Sequence, residues 1–274
     1  MTVPSPPDVA AISDAFTRTA ARYDAFADDH PHLSAMRQQV YDAFERVVPA
    51  GSRVLEINAG TGTDAVHLAR HGYVVHATDI APGMLARLQD KVDAQGLASV
   101  LTSESRSFLD LEHVTGAPYD ALFSNLGGLN CTGQLDAVMR GVDAVLAPGG
   151  TAVVVVMPRV CFWELALVAT GQFRLATRRL ARHGTDAHLE GRHFAVHYYT
   201  IGRVVTAFGD DYDVVARQGL AVFTPTAESK NFAKRHQRLY RALAALDRHL
   251  APHRPFSGWG DFFILTMRRR GGPA

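Results

Sequence analysis

The sequence predicts an α/β fold: a doubly wound, seven-stranded, mostly parallel Rossmann-like sheet with N-terminal helices and a lid insertion. Three observations predict it. Short apolar segments alternate with helix-period segments from residue 53 to 157, the pattern of parallel strands joined by helical crossovers. The last of these segments, 151–157, is apolar along its whole length, as a strand buried on both faces must be. The first strand runs into a glycine-bearing turn that opens a helix, where open α/β sheets hold their ligands.

The elements follow in order. Residues 9–24 place Ile12, Phe16 and Tyr23 on one side of a helical period. Residues 33–48 form a second helix, stopped by Pro49-Ala50-Gly51. Strand 53–57 leads through Asn58-Ala59-Gly60-Thr61-Gly62 into helix 63–70, closed by His71-Gly72. Strand 73–78 ends at Asp79, and helix 82–95 starts on a proline whose missing N–H is harmless in a first turn. Strands 99–102 and 119–124, helix 135–146, Ala147-Pro148-Gly149-Gly150 and strand 151–157 complete the core. Beyond Pro158 the pattern loosens. Residues 159–199 mix helix-like text (164–180) with a polar stretch rich in glycine and histidine. Then come a helix at 201–208, a strand or hairpin at 212–217 with 220–223, a helix at 230–250 and a last strand at 261–268. Four segments are expected: a helical lid at 1–50, a cofactor-binding core at 51–158, a lid insertion over the substrate pocket at 159–199, and a C-terminal part at 200–274 that completes the sheet.

A length of 274 residues suits one large α/β domain with a lid, and 47% hydrophobic with 20% charged residues permits a sizeable core. The net charge of +1 and the short basic runs, Arg178-Arg179 with Arg182 and Arg268-Arg269-Arg270, argue against a nucleic-acid partner. Cys131 and Cys161 match neither a disulfide framework nor a CxxC zinc site. The longest apolar run is too short for a bilayer and the proline-rich N-terminus has no signal core. We therefore expect a cytoplasmic protein, monomer or homodimer, without a membrane partner. The preference for arginine over lysine leads us to expect a GC-rich, bacterial source.

Gly60 and Gly62 let backbone approach a ligand, and the helix that follows offers unpaired N–H groups. A carboxylate at Asp79 can accept both hydroxyls of a ribose. The turn is not GxGxxG: Asn58 stands at the first glycine and Thr63 follows the last. Glu56 lies just before the turn, and Leu146-Ala147-Pro148-Gly149-Gly150 precedes the fifth strand.

With these residues, Glu56 to Gly62, Asp79 and the L-A-P-G-G-T segment, the chain resembles the class I, Rossmann-like S-adenosylmethionine-dependent methyltransferases of the small-molecule type, over about residues 16–156. The departure is Asn58, where that family more often has glycine; asparagine tolerates left-handed backbone. The resemblance implies S-adenosylmethionine as cofactor and methyl transfer to O, N or C, and a discrete lid over the pocket suits a small-molecule acceptor of the kind met in secondary metabolism. It implies that Glu56 sets the turn and approaches the ammonium of the methionine part, that Asn58, Ala59, Gly60 and Gly62 line the cofactor, that Asp79 holds the ribose and that Ile80 packs on adenine. Ser107 and Phe108 fall at the adenine edge, and Asn125 near methionine or substrate. Tyr23 resembles a lid tyrosine, and Arg37 could pair with the cofactor carboxylate.

Three rival readings share parts of this pattern: an NAD(P)-dependent oxidoreductase, an S-adenosylmethionine-binding enzyme of non-methylating chemistry, and a non-catalytic binding module. Methylation of a hydroxyl or an acidic carbon calls for a general base. Candidates are His183, His188, His193 and His197, and His197 is preferred because residues 194–199 are an aromatic stretch expected to face the pocket. His193 and His197, like His67 and His71, stand four apart, one helical face each, but no H-E-x-x-H glutamate or nearby cysteine adds a third ligand, so no metal is expected. Phe162, Trp163 and Phe173 line either a substrate pocket or the core of the lid.

Overall fold

The computed structural model describes residues 9–28, 30–181, 184–226, 229 and 231–271, with the side chains of all but 26–28. Arg182 and His183 lie outside them. The elements are α1 (Val9–Asp28), α2 (Pro31–Glu45), β1 (Arg53–Ile57), α3 (Thr63–Arg70), β2 (Val74–Asp79), α4 (Pro82–Gln95), β3 (Leu101–Ser105), β4 (Tyr119–Ser124), α5 (Leu135–Val145), β5 (Leu146–Val156), α6 (Phe162–Ala166), α7 (Phe173–Thr177), β6 (Thr185–Leu189), β7 (Arg192–Val196), α8 (Ile201–Phe208), β8 (Tyr212–Leu220), α9 (Phe232–Arg235), α10 (Gln237–Leu250) and β9 (Phe262–Arg269).

Seven strands form one sheet in the order β3-β2-β1-β4-β5-β9-β8. The first five are parallel, and β9 runs antiparallel between β5 and β8. Strand alternation feeds two cores, one per face. Val54, Val75, Phe123 and Val155 pack with Met36, Phe44, Leu68 and Leu88 from α2, α3 and α4. Leu55, Leu122, Val154 and Val156 pack on the other side with Val138, Val142, Val204 and Phe208 from α5 and α8. The chain winds outward from β1 to β3, then returns to β4 on the other side of β1. The switch point therefore lies between β1 and β4, where their carboxyl ends leave a crevice. Among the described residues no helix is long and apolar enough to cross a membrane.

Several boundaries differ from those expected. The third strand starts at Leu101 because 98–100 form a turn. The helix-like text 164–180 becomes two short helices, α6 and α7, parted by one 3-10 turn and by Gly171 at φ +77°, since a left-handed glycine ends a helix. The polar stretch beyond it is a hairpin, β6–β7, turned by Glu190 and Gly191 at φ +48° and +79°, the paired positive φ of a tight two-residue loop. His193 therefore lies on a strand and His197 just past it, so the helical face they were expected to share does not form. The expected 230–250 helix breaks at His236 into α9 and α10. Residues 212–220 make one bulged strand.

Helix α1 is held outside both sheet cores. The Ser13 hydroxyl donates to Ile80 O (2.8 Å) and Gly83 N donates to Thr17 Oγ1 (3.3 Å). On its other side the hairpin grips it. Arg22 pairs with Glu190 at 2.9 Å, Arg192 with Asp14 at 2.5 Å, and Phe16 lies 6.0 Å from Phe194.

Candidate functional site

The turn after β1 is built on positive φ: Asn58 at +52°, Gly60 at +57° and Gly62 at +76°. Asn58 holds its costly left-handed backbone through its side chain, which accepts from the Ser124 hydroxyl (2.8 Å) and donates to Asn125 O (3.3 Å). The turn is thereby tied to the end of β4, across the switch point. Asp79 ties it to β2: Gly60 N donates to one carboxylate oxygen (2.8 Å) and Ala81 N to the other (2.9 Å). Burial raises the Asp79 pKa, and these backbone donors pull against that rise.

Two cavities meet at this turn and share Asn58 and Gly128 as walls. The first, about 580 Å³, is walled mainly by apolar groups, among them Ile12, Phe16, Ile80, Phe108 and Leu109, with Asp79, Arg106 and Ser107 as polar members. The second, about 410 Å³, is polar and is lined by Tyr23, Arg37, Ala59, Gly60, Thr61, Thr63, Asp64 and Asn125. Nothing lies within 4 Å of where a Gly60 Cβ would stand, so the backbone there faces open space.

Buried charge gathers under the second cavity. Arg37 forms an ion pair with Asp64, which also accepts from the Tyr41 hydroxyl (2.5 Å) and from Asn125 Nδ2 (3.2 Å). Burial alone would lower the Arg37 pKa; the Asp64 carboxylate more than reverses it, so Arg37 stays charged. Its Nε is a buried donor with no partner among the described residues. Glu56 is 1% exposed, and one carboxylate oxygen is likewise unpartnered. Burial, then the Asp64 charge, pushes its pKa well up, against the pull of Arg37. Burial also raises the Tyr23 phenol.

Of the thirteen residues singled out in the sequence, Tyr23, Arg37, Asn58, Ala59, Gly60, Asp79, Ile80, Ser107, Phe108 and Asn125 line one or both cavities. Three do not. Glu56 lies beneath the turn rather than on its surface. Gly62 is needed for packing: a Cβ there would meet Leu88 Cγ at 2.5 Å, so the residue serves the contact of α3 with α4. His197 sits beyond the hairpin, with its backbone N–H on Asn130 O (2.7 Å) and its ring against Gly133 and Gly184. Phe194, three residues earlier, is the part of the aromatic stretch that packs onto α1. His188 lines a third cavity with Arg174, Asp186 and Tyr198, and His193 pairs with Asp186 at 2.7 Å. The Trp163 indole donates to Phe223 O (2.8 Å), a lid-core contact, and Phe173 is 62% exposed.

Sequence reasoning missed Gly128, Thr61, Asp64, Cys131 and the role of Ile12 and Phe16. Ile12 and Phe16 were legible as an apolar stripe, without the cavity it faces. Gly128 was legible as part of a glycine pair, and its need is now plain: a Cβ would fall 2.2 Å from Asn58 Cγ. Burial pushes the Cys131 thiol up to about 12, which keeps it a neutral wall of the first cavity.

Residues 54–150 match the family model described as a methyltransferase domain. Methyltransferase GfsG of Streptomyces halstedii is 30% identical over 155 residues, 54% of this chain and 53% of that protein. The S-adenosyl-L-methionine-dependent Diels-Alderase iccD of Talaromyces variabilis is 30% identical over 113 residues, 41% of this chain and 38% of that one. The chain thus spans about half or less of the length of these curated relatives. In fold, the crystal structure of the (4+2)-cyclase SpnF superposes with a TM-score of 0.65, covering 98% of this chain and 99% of that one at 15% identity.

Proposed function

We propose that the chain, whose residues 54–150 match a methyltransferase-domain family model, binds S-adenosylmethionine across the two joined cavities and methylates a small molecule. One observation carries the reading: an apolar and a polar cavity meet at a left-handed turn whose backbone is bonded to Asp79. That sequence of surfaces suits a molecule that is aromatic at one end, a ribose in the middle and a charged amino acid at the other.

In this reading Ile80 and Phe108, with Phe16 from α1, sandwich the adenine. The Asp79 oxygens, each already accepting one backbone N–H, keep lone pairs for the ribose hydroxyls. Arg37 holds the carboxylate through its unpartnered donor. Glu56 supplies negative potential to the ammonium, because an approaching cation favours the ionised carboxylate. Tyr23 and α1 close over the second cavity and exclude water. When bound, S-adenosylmethionine supplies an already activated methyl group, so the protein's task is to hold the acceptor in line, an effect worth up to about 7–11 kcal/mol.

A second reading keeps the cofactor without the transfer. It is favoured by iccD, named as an S-adenosylmethionine-dependent Diels-Alderase, and by the linings of the two cofactor cavities, which include no histidine among the described residues. Calorimetric titration with S-adenosylmethionine, S-adenosylhomocysteine and NADH tests the cofactor. Binding of the first two without NADH supports both readings; binding of NADH alone overturns both and makes the protein an oxidoreductase. With cofactor bound, formation of S-adenosylhomocysteine in the presence of candidate acceptors separates transfer from cyclisation.

A further inference from the structure

His67 on α3 and His71, its C-cap, stand one turn apart, and the fold brings Glu45, the last residue of α2, to them. The third ligand that the sequence did not supply is present in space. His67 Nε2 lies 3.1 Å from Glu45 Oε1, and one ligand atom from each of the three residues lies within 4.8 Å of the other two. With metal–ligand bonds of about 2.0–2.2 Å, a tetrahedral zinc site has ligand–ligand edges of roughly 3.4 Å. The His67–Glu45 edge is already near that length. The remaining edges, none longer than 4.8 Å, close chiefly by movement of the exposed Glu45 side chain.

The rings are also prepared. His71 Nδ1 lies 2.7 Å from the His67 carbonyl oxygen. A carbonyl can only accept, so Nδ1 carries the hydrogen and Nε2 is left with its lone pair. An imidazole that donates its other N–H to a backbone carbonyl is the usual arrangement of a metal-binding histidine. His67 is fixed between two stacked rings, Tyr41 at 3.6 Å and His71 at 3.9 Å.

We propose that Glu45, His67 and His71 form a surface site for one divalent transition-metal ion of the zinc class, with water completing its shell and bridging α2 to α3. Two imidazoles and one carboxylate suit zinc, nickel or copper rather than magnesium or calcium, which take oxygen ligands. None of the three residues lines the cofactor cavities.

The test is competition titration of the untagged full chain with zinc chloride against a chromophoric chelator. The wild type is expected to take up one equivalent. His71→Ala and Glu45→Gln, both at exposed side chains, are each expected to weaken that binding at least tenfold. His193→Ala, in the separate His193–Asp186 pair of the hairpin, is expected to leave it unchanged. Excess magnesium is expected not to displace the zinc. No saturable zinc binding by the wild type, or His71→Ala binding as tightly as the wild type, would overturn the site.

Discussion

Gly128→Ala followed by Asn58→Gly is the sharpest perturbation of the turn. An alanine Cβ at 128 would stand 2.2 Å from Asn58 Cγ, 2.4 Å from Nδ2 and 2.7 Å from Cβ. Asn58 cannot yield freely, because both ends of its amide are bonded, to Ser124 and to Asn125 O. Overpacking of this kind costs about 1–3 kcal/mol, and each bond broken by expelling the amide adds about 0.5–1.5 kcal/mol. Gly128→Ala is therefore expected to destabilise the protein by about 2–4 kcal/mol. Asn58→Gly alone forfeits the same two bonds but relieves a left-handed backbone worth roughly 1–2 kcal/mol, so its net effect is about 1 kcal/mol or less. In the double variant the clash has no partner. Gly128→Ala then becomes nearly silent, and the cycle gives a coupling of about 2–4 kcal/mol. Urea denaturation of the four proteins measures it. Additive losses would show that the clash is absorbed elsewhere and that the Asn58–Gly128 contact does not shape the seam of the two cavities.

Three further outcomes are expected. Asp79→Ala leaves the Gly60 and Ala81 N–H groups without acceptors, about 1–3 kcal/mol each where they stay buried; calorimetry should show cofactor affinity falling at least tenfold, and unchanged affinity would place the ribose elsewhere. Asp24 accepts from the Thr61 hydroxyl (2.5 Å) and from Lys91 (2.9 Å), fastening α1 to the glycine turn. Asp24→Ala is expected to change stability by less than about 1 kcal/mol, since the pair is partly exposed, yet to speed release of S-adenosylhomocysteine in stopped-flow fluorescence. Glu164 is buried, opposed by that burial but held below its ordinary pKa by bonds from Arg178 (2.7 and 3.0 Å) and Arg179 (2.8 Å). A depressed folded pKa contributes stability above the unfolded value and loses it as pH falls through the folded one. Glu164→Gln is expected to cost about 1.5–3 kcal/mol at pH 7 by removing one of the two carboxylates that hold Arg179, Asp261 remaining as the other, and to flatten the loss of stability below about pH 4.5, read by denaturation at stepped pH.

The core was legible because each of its strands announces itself locally. Residues 53–57, 119–124 and 151–157 are apolar runs bounded by turn residues, and the observed strands start or end within a few residues of them, β5 the widest at five. Their ligand-facing ends follow from topology alone, which is why Gly60, Asp79, Ile80 and Asn125 fall on the cavities. The insertion was not legible. Residues 164–180 have helical text, but Gly171 and two short 3-10 turns break it, and what decides the break is burial of Glu164 and Arg179 against Asp261, 82 residues away from Arg179. The hairpin carries Glu-Gly at its turn, a weaker signal than Asn-Gly. His197 has aromatic neighbours, yet it is Phe194, with Val196 two residues on, that packs toward α1, because alternate residues of a strand face opposite ways. Gly62 illustrates the limit of motif reading: a glycine in a ligand-binding turn can be required by the helix behind it.

Helix α1 and the β6–β7 hairpin are joined by direct contacts. Helix α1 contributes to neither sheet core; its anchors are two small clusters, Ile12 and Ala15 with Phe194, and Ala20 with Ala81 and Met84. Small apolar patches joined by exposed ion pairs mark a unit that opens at lower free energy than the core. That is what a cofactor cavity walled by Ile12 and Phe16 requires, since any ligand of that cavity must pass the helix or its clamp. The clamp is the hairpin of the insertion, through Arg22–Glu190, Arg192–Asp14 and Phe16–Phe194. The hairpin in turn is locked to the floor of the site. Asn130 donates to Met157 O (3.1 Å) and His197 O (2.5 Å) and accepts from Met157 N (2.9 Å). Movement of the hairpin is thus passed to α1 by direct contact; under the proposed function this would couple the insertion to the enclosure of the cofactor.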